Sequence, residues 1–362
     1  MTPLRVCVVV HEGRRSGPPL FALGVVDRLA HRDDLDLSVV LLEGGELVAD
    51  FAARCPTEVR SEDAAGASAL LRAADVVYVN TAVSIRALRE EGYRPPAVVT
   101  HVHELEIGLR YWLSPEDHRW LLAETDRFLV GPDCAEENLV RHHGVHRAKI
   151  GRVPYFVPPG SGTAHRDAVR RALGAGPDAV VVGACGAREW RKAPDLFAQV
   201  AWWVCRDAPD LDLRFVWVGS PLPSGPHWDE AAELALLGLG DRLCYVDDQA
   251  DIDAWLAAFD LYALTSREDD FPLACLTACS FGVPVVTFDT GGMADLARES
   301  GGGRVVRYPE VERLAAELVE LARAPAERER LGDRLARFVA DHHDLDRSAD
   351  LLARELLGVV AR

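Results

Sequence analysis

The stretch from Leu261 to Asp289, LYALTSREDDFPLACLTACSFGVPVVTFD, constrains the fold more than any other part of the chain. It begins with a short apolar run, becomes polar and acidic at 266–270, and ends in a largely β-branched run from Val283 to Phe288. Residues 272–281 between them have the composition of a helix that starts at a proline, where the missing N–H costs nothing. The order strand, turn, helix, strand is typical of a parallel α/β sheet, in which ligands bind at the carboxyl ends of the strands.

The same alternation runs along the whole chain and predicts two Rossmann-like domains. It begins with a continuous apolar run at Val6–Val10, typical of a buried parallel strand. The segment Val157–Thr163 has two prolines and two glycines in seven residues, which indicates a hinge, and the alternation restarts after it. The tail from about Val311 to Val360 is predicted to be helical throughout. We therefore expect an N-terminal domain, a C-terminal domain and a final helix, at residues 1–157, 158–340 and 341–362.

Composition excludes several classes of function. The 362 residues carry a formal net charge of −17, so the chain lacks the basic face that nucleic-acid binding requires. We expect a cytoplasmic protein without an integral membrane segment, because no apolar run has the length of a span and the start does not have the pattern of a signal peptide. The eight cysteines are scattered, and Cys275 and Cys279 have no histidine at ligand spacing. We interpret them as core residues and predict no metal site.

A second segment with a distinctive pattern is Gly183–Phe197, GACGAREWRKAPDLF, which follows an apolar run and leads into a helix. Two cations, Arg191 and Lys192, stand near the start of that helix, where the positive end of the dipole makes them mildly unfavourable. The chain has only one other lysine, Lys149. This awkward placement of a rare residue favours a functional role over a solvated helix start.

Both segments resemble the donor-site signature of glycosyltransferases with the GT-B fold, specifically the large retaining family 4. Members of that family read like S-R-E-D-x-F-P-L-x-x-L-E-A-x-x-x-G-x-P-V-V, and the chain matches from Ser266 to Val286 except at Thr277, where the family has an acidic residue. The segment Gly183–Phe197 is similar to the family's G-x-x-x-x-x-W-R-K-G-x-D-L-F. The resemblance implies an α/β protein with two Rossmann-like domains facing across a cleft, and a C-terminal helix that crosses back to the first domain.

The resemblance also implies a retaining, metal-independent glycosyltransferase that uses a nucleotide-sugar as co-substrate and needs no cofactor. Arg191 and Lys192 would hold the donor diphosphate, on which negative charge builds as the glycosidic bond breaks. Asp269 would hold hydroxyls of the donor sugar. We expect a small soluble molecule or a glycan as the acceptor, because no basic, apolar entry helix is evident. The other implied donor-binding residues are Gly17, Glu268, Phe271, Pro272, Leu273, Thr277, Gly291 and Gly292.

The first domain contributes a candidate catalytic histidine. The segment Thr100–Glu106, THVHELE, resembles the H-D or H-E that faces the reacting sugar in the family. We favour His103 over His101 because Glu104 supplies the acidic neighbour. Histidines two apart point the same way in a strand, but no third ligand stands at suitable spacing, so a metal pair is not expected. A hydrogen-bonded core histidine is the alternative interpretation.

Other candidates are weaker. Gly17 matches the family's first-loop glycines, and the neighbouring Arg14 and Arg15 would meet phosphate or an acidic acceptor, or be solvated. Arg188 is a secondary candidate for the diphosphate. Ala193 stands where the family has glycine, and we expect it to tilt the helix start.

Thr277 leaves a second function open. A charge-assisted hydrogen bond from a ribose hydroxyl to a carboxylate is worth about 1.5–3 kcal/mol, and the side chain of threonine is shorter and neutral. Three consequences are open. The donor binds more weakly, or Glu268 or a bound water takes the place of the carboxylate, or the site has drifted and left a catalytically impaired protein. The alternative function is a non-catalytic GT-B protein that partners or regulates another transferase. A nucleotide-sugar epimerase would need more carboxylates in the cleft than the sequence places there.

Overall fold

The computed structural model describes residues 2–157, 165–221 and 229–361. The chain forms two compact units, the first made of Met1–Pro158 with His343–Arg362 and the second of Pro159–His342. Apart from Val157, the hinge predicted at 157–163 lies outside the described residues. The sequence places the return to the first unit at residue 341, and in the structure it occurs at His343.

Each unit contains one parallel sheet. The first sheet has the strands β1 Leu4–Val10, β2 Leu35–Leu41, β3 Thr57–Val59, β4 Val76–Asn80, β5 Ala97–His101, β6 Arg127–Val130 and β7 Ile150–Arg152, in the order β3-β2-β1-β4-β5-β6-β7. The second has β8 Val180–Cys185, β9 Leu213–Val218, β10 Leu243–Val246, β11 Leu261–Leu264, β12 Val285–Phe288 and β13 Gly303–Val306, in the order β10-β9-β8-β11-β12-β13. In both sheets the order reverses beside the first strand, and ligands bind parallel sheets at such points.

The strands alternate with helices along the sequence, which is the pattern of two Rossmann-like units. The helices of the first unit before the crossover are α1 Gly17–Leu29, α2 Val48–Ala52, α3 Ala64–Ala73, α4 Arg86–Glu91, α5 Glu106–Trp112, α6 Pro115–Glu124 and α7 Asp133–His143. Those that follow are α8 Arg166–Ala172, α9 Pro194–Asp207, α10 Glu230–Leu237, α11 Ile252–Ala258, α12 Leu273–Ser280, α13 Gly292–Ser300, α14 Val311–Ala322, α15 Pro325–His342 and α16 Leu345–Val360. No helix of the described ranges combines the length and the apolar character that crossing a bilayer requires.

Local chemistry explains where several elements begin. Residues 6–10 of β1 are all buried, as expected for a strand covered on both faces. The hydroxyl of Ser114 accepts the N–H of Asp117 at 3.0 Å, and Pro115 follows it, so Ser114 caps the start of α6. Pro272 precedes the first residue of α12 as its N-cap.

The tail is helical, as the sequence predicts, and it consists of the three helices α14, α15 and α16 with two short breaks between them. Pro325 begins α15, and a proline cannot continue a preceding helix because it has no N–H to donate. Asp344 caps α16, since its carboxylate accepts the N–H of Arg347 at 2.8 Å. The helical composition continues through both breaks, so only these two residues mark them.

The last helix, α16, belongs to the first unit and packs against α1. The guanidinium of Arg127 in β6 donates two hydrogen bonds to the carboxylate of Glu355, at 2.6 and 2.8 Å. Leu352 on the same helix is fully buried. The helix is therefore a structural part of the first sheet's cover, as the resemblance implies.

We expect Leu352→Ala to destabilise the first unit by about 2–5 kcal/mol, because it leaves a cavity under α16. The neighbouring Leu351 is only partly buried, and Leu351→Ala serves as the matched control with a smaller loss. Thermal unfolding measures the loss, and hydrogen exchange over 345–360 locates it. Equal losses in the two variants would contradict the packing described here.

Candidate functional site

In the second unit, two loops meet at the centre of the sheet because β8 and β11 are neighbours. Backbone hydrogen bonds join them. The N–H groups of Arg267 and Glu268 both donate to the carbonyl oxygen of Arg191, at 2.8 and 3.4 Å. The two sequence segments that suggested a donor site are therefore adjacent in space.

Two cations converge on one buried carboxylate in this place. The ammonium of Lys192 forms an ion pair with Asp269, and Nη1 of Arg191 lies 3.9 Å from the other oxygen of that carboxylate. The side chain of Asp269 is 4% exposed, whereas those of Lys192 and Arg191 are 16% and 23% exposed. The cations thus cover the acid and present part of their surface to solvent.

One nitrogen of Arg191 is buried without a hydrogen-bond partner among the residues that the structure describes. Its Nη2 donates to Glu189 at 2.7 Å and its Nη1 to the carbonyl oxygen of Glu268 at 3.2 Å, but its buried Nε–H has no hydrogen-bond partner. Burial lowers the pKa of Arg191, and the nearby carboxylates of Asp269 and Glu189 more than offset this, so the pKa is raised. A buried unpaired donor costs free energy unless an acceptor reaches it, and a phosphate oxygen is such an acceptor.

Arg267 holds the basic loop in position. Its guanidinium forms a fork on Asp195, at 2.9 and 2.6 Å, and donates to the carbonyl oxygen of Trp190 at 2.7 Å. It also lies 4.9 Å from the ring centroid of Trp190. Sequence reasoning matched Arg267 to the signature without giving it a role, although the opposite charge of Asp195 in the other segment was an available signal.

The backbone at Ala193 is left-handed. Its φ of 61° and ψ of 55° are unfavourable for a residue with a Cβ, and it is the N-cap of α9. Glycine adopts this conformation without penalty, which explains why the related pattern has glycine there. The alanine therefore places backbone strain at the start of α9.

Gly291 and Gly292, which follow β12, lie against the backbone of the acidic turn at residues 266–270. Gly291 has a φ of +91°, and a Cβ on it would lie 1.7 Å from the carbonyl oxygen of Asp269. The N–H of Gly292 donates to the carbonyl oxygen of Asp270 at 2.7 Å. The N–H that the resemblance assigns to the donor is therefore engaged within the protein in this structure.

The remaining donor-side residues differ in exposure. Phe271 and Pro272 are buried, and Glu268 and Leu273 are partly buried. Thr277 is 7% exposed on α12, a helix whose residues 275–279 are all buried. Burial makes this position costly for a carboxylate without a partner.

Arg188 is engaged elsewhere. Its guanidinium lies 2.5 Å from a carboxylate oxygen of Glu230 and 2.7 Å from one of Asp247, and it donates to the carbonyl oxygen of Gly219 at 2.6 Å. Its two terminal nitrogens therefore hold the loops after β9 and β10, while its buried Nε, although close to Glu230, makes no hydrogen bond within the described residues.

In the first unit, His103 is held from both sides. Its Nδ1 lies 2.6 Å from the hydroxyl of Tyr155, and its Nε2 lies 3.0 Å from the amide oxygen of Asn80. The acidic neighbour Glu104 accepts the N–H groups of His103 and Ala82 at 2.9 and 3.2 Å. Its carboxylate therefore orders the backbone of the turn that carries His103.

His101 and His103 stack with ring centroids 4.3 Å apart. His101 is fully buried; its Nδ1 meets the hydroxyl of Tyr78 at 2.9 Å, and its Nε2 has no hydrogen-bond partner. Burial lowers the pKa of His101 to about 3 and that of His103 well below its usual value. Both imidazoles are neutral at physiological pH, so neither begins a reaction as a charged acid.

Sequence reasoning missed the polar partners of this histidine pair. Asn80 ends β4 and Tyr155 follows β7, so each comes from a different strand than the histidines. Thr81 next to Asn80 has a φ of 75°, which is unusual for a β-branched residue and marks a strained turn. Gly17, predicted to face a diphosphate, is the first residue of α1 in this unit.

One family model and several curated proteins match this chain. Residues 176–324 match the family model described as "Glycosyl transferases group 1". A D-inositol 3-phosphate glycosyltransferase of Nocardia farcinica is 30% identical over 246 residues, which are 64% of this chain and 50% of that protein. The protein of the same name from Rhodococcus opacus is 32% identical over 215 residues, 57% of this chain and 47% of that protein. The chain thus spans about half the length of these curated relatives.

Solved structures resemble the whole chain at low identity. The structure of Anabaena Alr3699/HepE in complex with UDP and glucose has a TM-score of 0.81 and 17% identity, covering 98% of this chain and 99% of that one. WaaG, a glycosyltransferase involved in lipopolysaccharide biosynthesis, has a TM-score of 0.74 and 16% identity, covering 98% and 100%. This similarity confirms the predicted fold class.

We expect Ala193→Gly to raise the free energy of unfolding by about 1 kcal/mol, since it removes the left-handed strain, which is worth about 1–2 kcal/mol, at some cost in unfolded-state entropy. The control is Ala187→Gly in the same loop, where φ is not positive and where glycine should not stabilise. Thermal denaturation of both variants makes the comparison. Destabilisation by Ala193→Gly would contradict the argument from strain.

Proposed function

We propose that this chain, a GT-B protein related to the group 1 glycosyl transferases, is a retaining, metal-independent glycosyltransferase that moves a sugar from a nucleotide-sugar to an acceptor. The observation that carries this proposal is the convergence of Arg191 and Lys192 over Asp269, with a buried donor of Arg191 left unpaired. The presence of UDP and glucose in the similar Anabaena structure supports a nucleoside diphosphate sugar as the donor.

The two cations have complementary tasks in this proposal. Arg191 offers a planar fork to phosphate oxygens, and Lys192 offers a point charge. As the bond between sugar and diphosphate breaks, negative charge collects on the leaving group, and fixed cations lower the energy of that step. They supply the positive charge that a metal ion would otherwise provide, so the proposed reaction needs neither metal nor cofactor.

The proposal gives Asp269 one role before the donor binds and another role afterwards. Before the donor binds, it holds Lys192 in place through their ion pair. Once phosphate oxygens take up Lys192, the carboxylate of Asp269 accepts hydrogen bonds from sugar hydroxyls. Retention follows if the acceptor hydroxyl attacks the face that the diphosphate leaves and gives its proton to a departing phosphate oxygen.

The acceptor that we propose is a small molecule or a glycan. Two relatives bear the name D-inositol 3-phosphate glycosyltransferase, which supports a small polyol. In this proposal His103, neutral and at the end of the first unit's central strands, meets a hydroxyl as a hydrogen-bond partner and not as a charged acid.

A second candidate function is a non-catalytic partner of another transferase, and Thr277 is the observation that favours it. This buried position holds a neutral hydroxyl where the related pattern has a carboxylate. The two candidates differ in whether nucleotide binding is followed by turnover.

Calorimetric titration with UDP and with GDP tests the first proposal, and the two lysines of the chain offer a matched pair. We expect Lys192→Met to weaken binding of the favoured nucleotide about tenfold to a hundredfold, from the loss of one charge-assisted bond. Lys149 lies in the first unit and donates to the carbonyl oxygen of Thr125, so Lys149→Met should leave the affinity unchanged.

The outcomes separate the candidates. Binding with donor hydrolysis or transfer supports the enzyme, and binding without turnover supports the non-catalytic partner. No binding of either nucleotide at millimolar concentration, or equal losses in the two lysine variants, would remove the proposed diphosphate site.

We also expect Asp269→Asn to raise the affinity for UDP severalfold while lowering turnover. The substitution removes a negative charge from beneath the diphosphate and releases Lys192, but it also removes the acceptor for sugar hydroxyls. Asp289→Asn is the control, because that exposed carboxylate accepts the N–H of Tyr308 instead. Calorimetry and donor hydrolysis measure the two effects, and weaker UDP binding by Asp269→Asn would contradict this account.

A further inference from the structure

We propose that Tyr155 is a positioning residue for His103, and that it connects this histidine to both places where the chain passes between the two units. The inference rests on the proposed function only in taking His103 to face a substrate. Everything else in it concerns the first unit alone.

The side chain of Tyr155 is fixed by packing. It is 4% exposed, and its ring lies edge-on to Phe21 with centroids 5.5 Å apart. Gly131 makes room for it, since a Cβ there would lie 2.3 Å from a carbon of the tyrosine ring. Its hydroxyl is therefore held in one place, 2.6 Å from Nδ1 of His103.

Asn80 determines which nitrogen of His103 carries the proton. The amide nitrogen of Asn80 donates to the carbonyl oxygen of Pro18 at 3.0 Å, so the amide oxygen faces Nε2 of His103, also at 3.0 Å. An oxygen at that position can only accept, so Nε2 carries the proton and Nδ1 accepts the hydroxyl hydrogen of Tyr155. Assigned from this network, His103 is a neutral imidazole with an Nε2–H donor.

The backbone beside Tyr155 connects the two crossing segments. The first unit consists of Met1–Pro158 and His343–Arg362. Tyr155 lies near the end of the first of these two segments, and His343 begins the second. Nδ1 of His343 donates to the carbonyl oxygen of Tyr155 at 2.7 Å, and the hydroxyl of Ser348 donates to that of Pro154 at 2.8 Å. Two hydrogen bonds therefore tie the backbone of Pro154 and Tyr155 to the start of the returning segment.

The surroundings of His103 define the expected dependence on pH. Burial is the main cause of its lowered pKa, and the neighbouring His101 and His11 lower it further. The carboxylate of Glu104 is engaged by backbone N–H groups. A hydroxyl that donates to Nδ1 favours the neutral ring, so its removal should raise the pKa of His103 towards the usual value.

The test uses the full chain labelled with [15N]histidine. Long-range 1H–15N spectra report the tautomer of each histidine, and His103→Gln identifies the His103 signals. We expect the wild type to show a neutral Nε2–H ring between about pH 5 and 8, where an unperturbed histidine titrates. Tyr155→Phe should shift the Nδ1 signal and move the titration to higher pH. Tyr93→Phe is the matched control, because that ring stacks under Arg72 and not against a histidine.

Kinetics provides the second readout. We expect Tyr155→Phe to lower kcat about tenfold, in the range that misplacement of a catalytic group costs, with the donor KM within about twofold. His343→Asn keeps a donor for the carbonyl oxygen of Tyr155 and should retain more activity than His343→Leu. If Tyr155→Phe does not fold, these two His343 variants still test whether the backbone contact of Tyr155 affects His103.

His103 signals that do not change in Tyr155→Phe would overturn the proposal. If Tyr155→Phe does not fold, unchanged His103 signals in His343→Asn and His343→Leu would overturn it. Equal effects of Tyr155→Phe and Tyr93→Phe would also overturn it. UDP binding is measured separately by calorimetry. If UDP does not bind but the His103 signals respond as expected, the proposed function fails while the positioning role of Tyr155 stands.

Discussion

The ion pair between Lys192 and Asp269 joins two segments that lie far apart in the sequence, and the candidate site depends on it. A partly buried pair stabilises a protein little, because desolvation offsets most of the attraction. The fork of Arg267 on Asp195 and the backbone bonds to Arg191 hold the same two loops together. The ion pair is therefore better understood as a way to keep a lysine directed at a ligand site than as a source of stability.

The two units meet the cost of buried polar groups in different ways. The second unit compensates its cations with carboxylates, and in the candidate site the buried Nε–H of Arg191 has no partner among the described residues. The first unit instead keeps its histidines neutral by burial and satisfies His103 with Asn80 and Tyr155. The second unit thus relies on paired charges, and the first unit relies on neutral hydrogen-bonding groups.

Much of the fold was predictable because alternating apolar runs and helical segments reflect local physics. The apolar run at residues 6–10 lies in β1, the run at 283–288 contains β12, and the run that begins at Leu261 forms β11. The three-residue strands β3 and β7 were missed, because so short an element has no periodicity of its own. The break between α14 and α15 was missed because composition does not change across it, and only Pro325 carries the signal.

The sequence by itself determined the fold class, the loop after β11 and the cations after β8, because these follow from residue types at fixed spacing. Only the tertiary structure decided that Lys192 pairs with Asp269 and that Tyr155 reaches His103. It also decided that Arg188 and the N–H of Gly292 are engaged within the protein. The reason is physical. Periodicity and composition are properties of neighbouring residues, whereas these contacts depend on strand order and on which acceptor lies nearest in space.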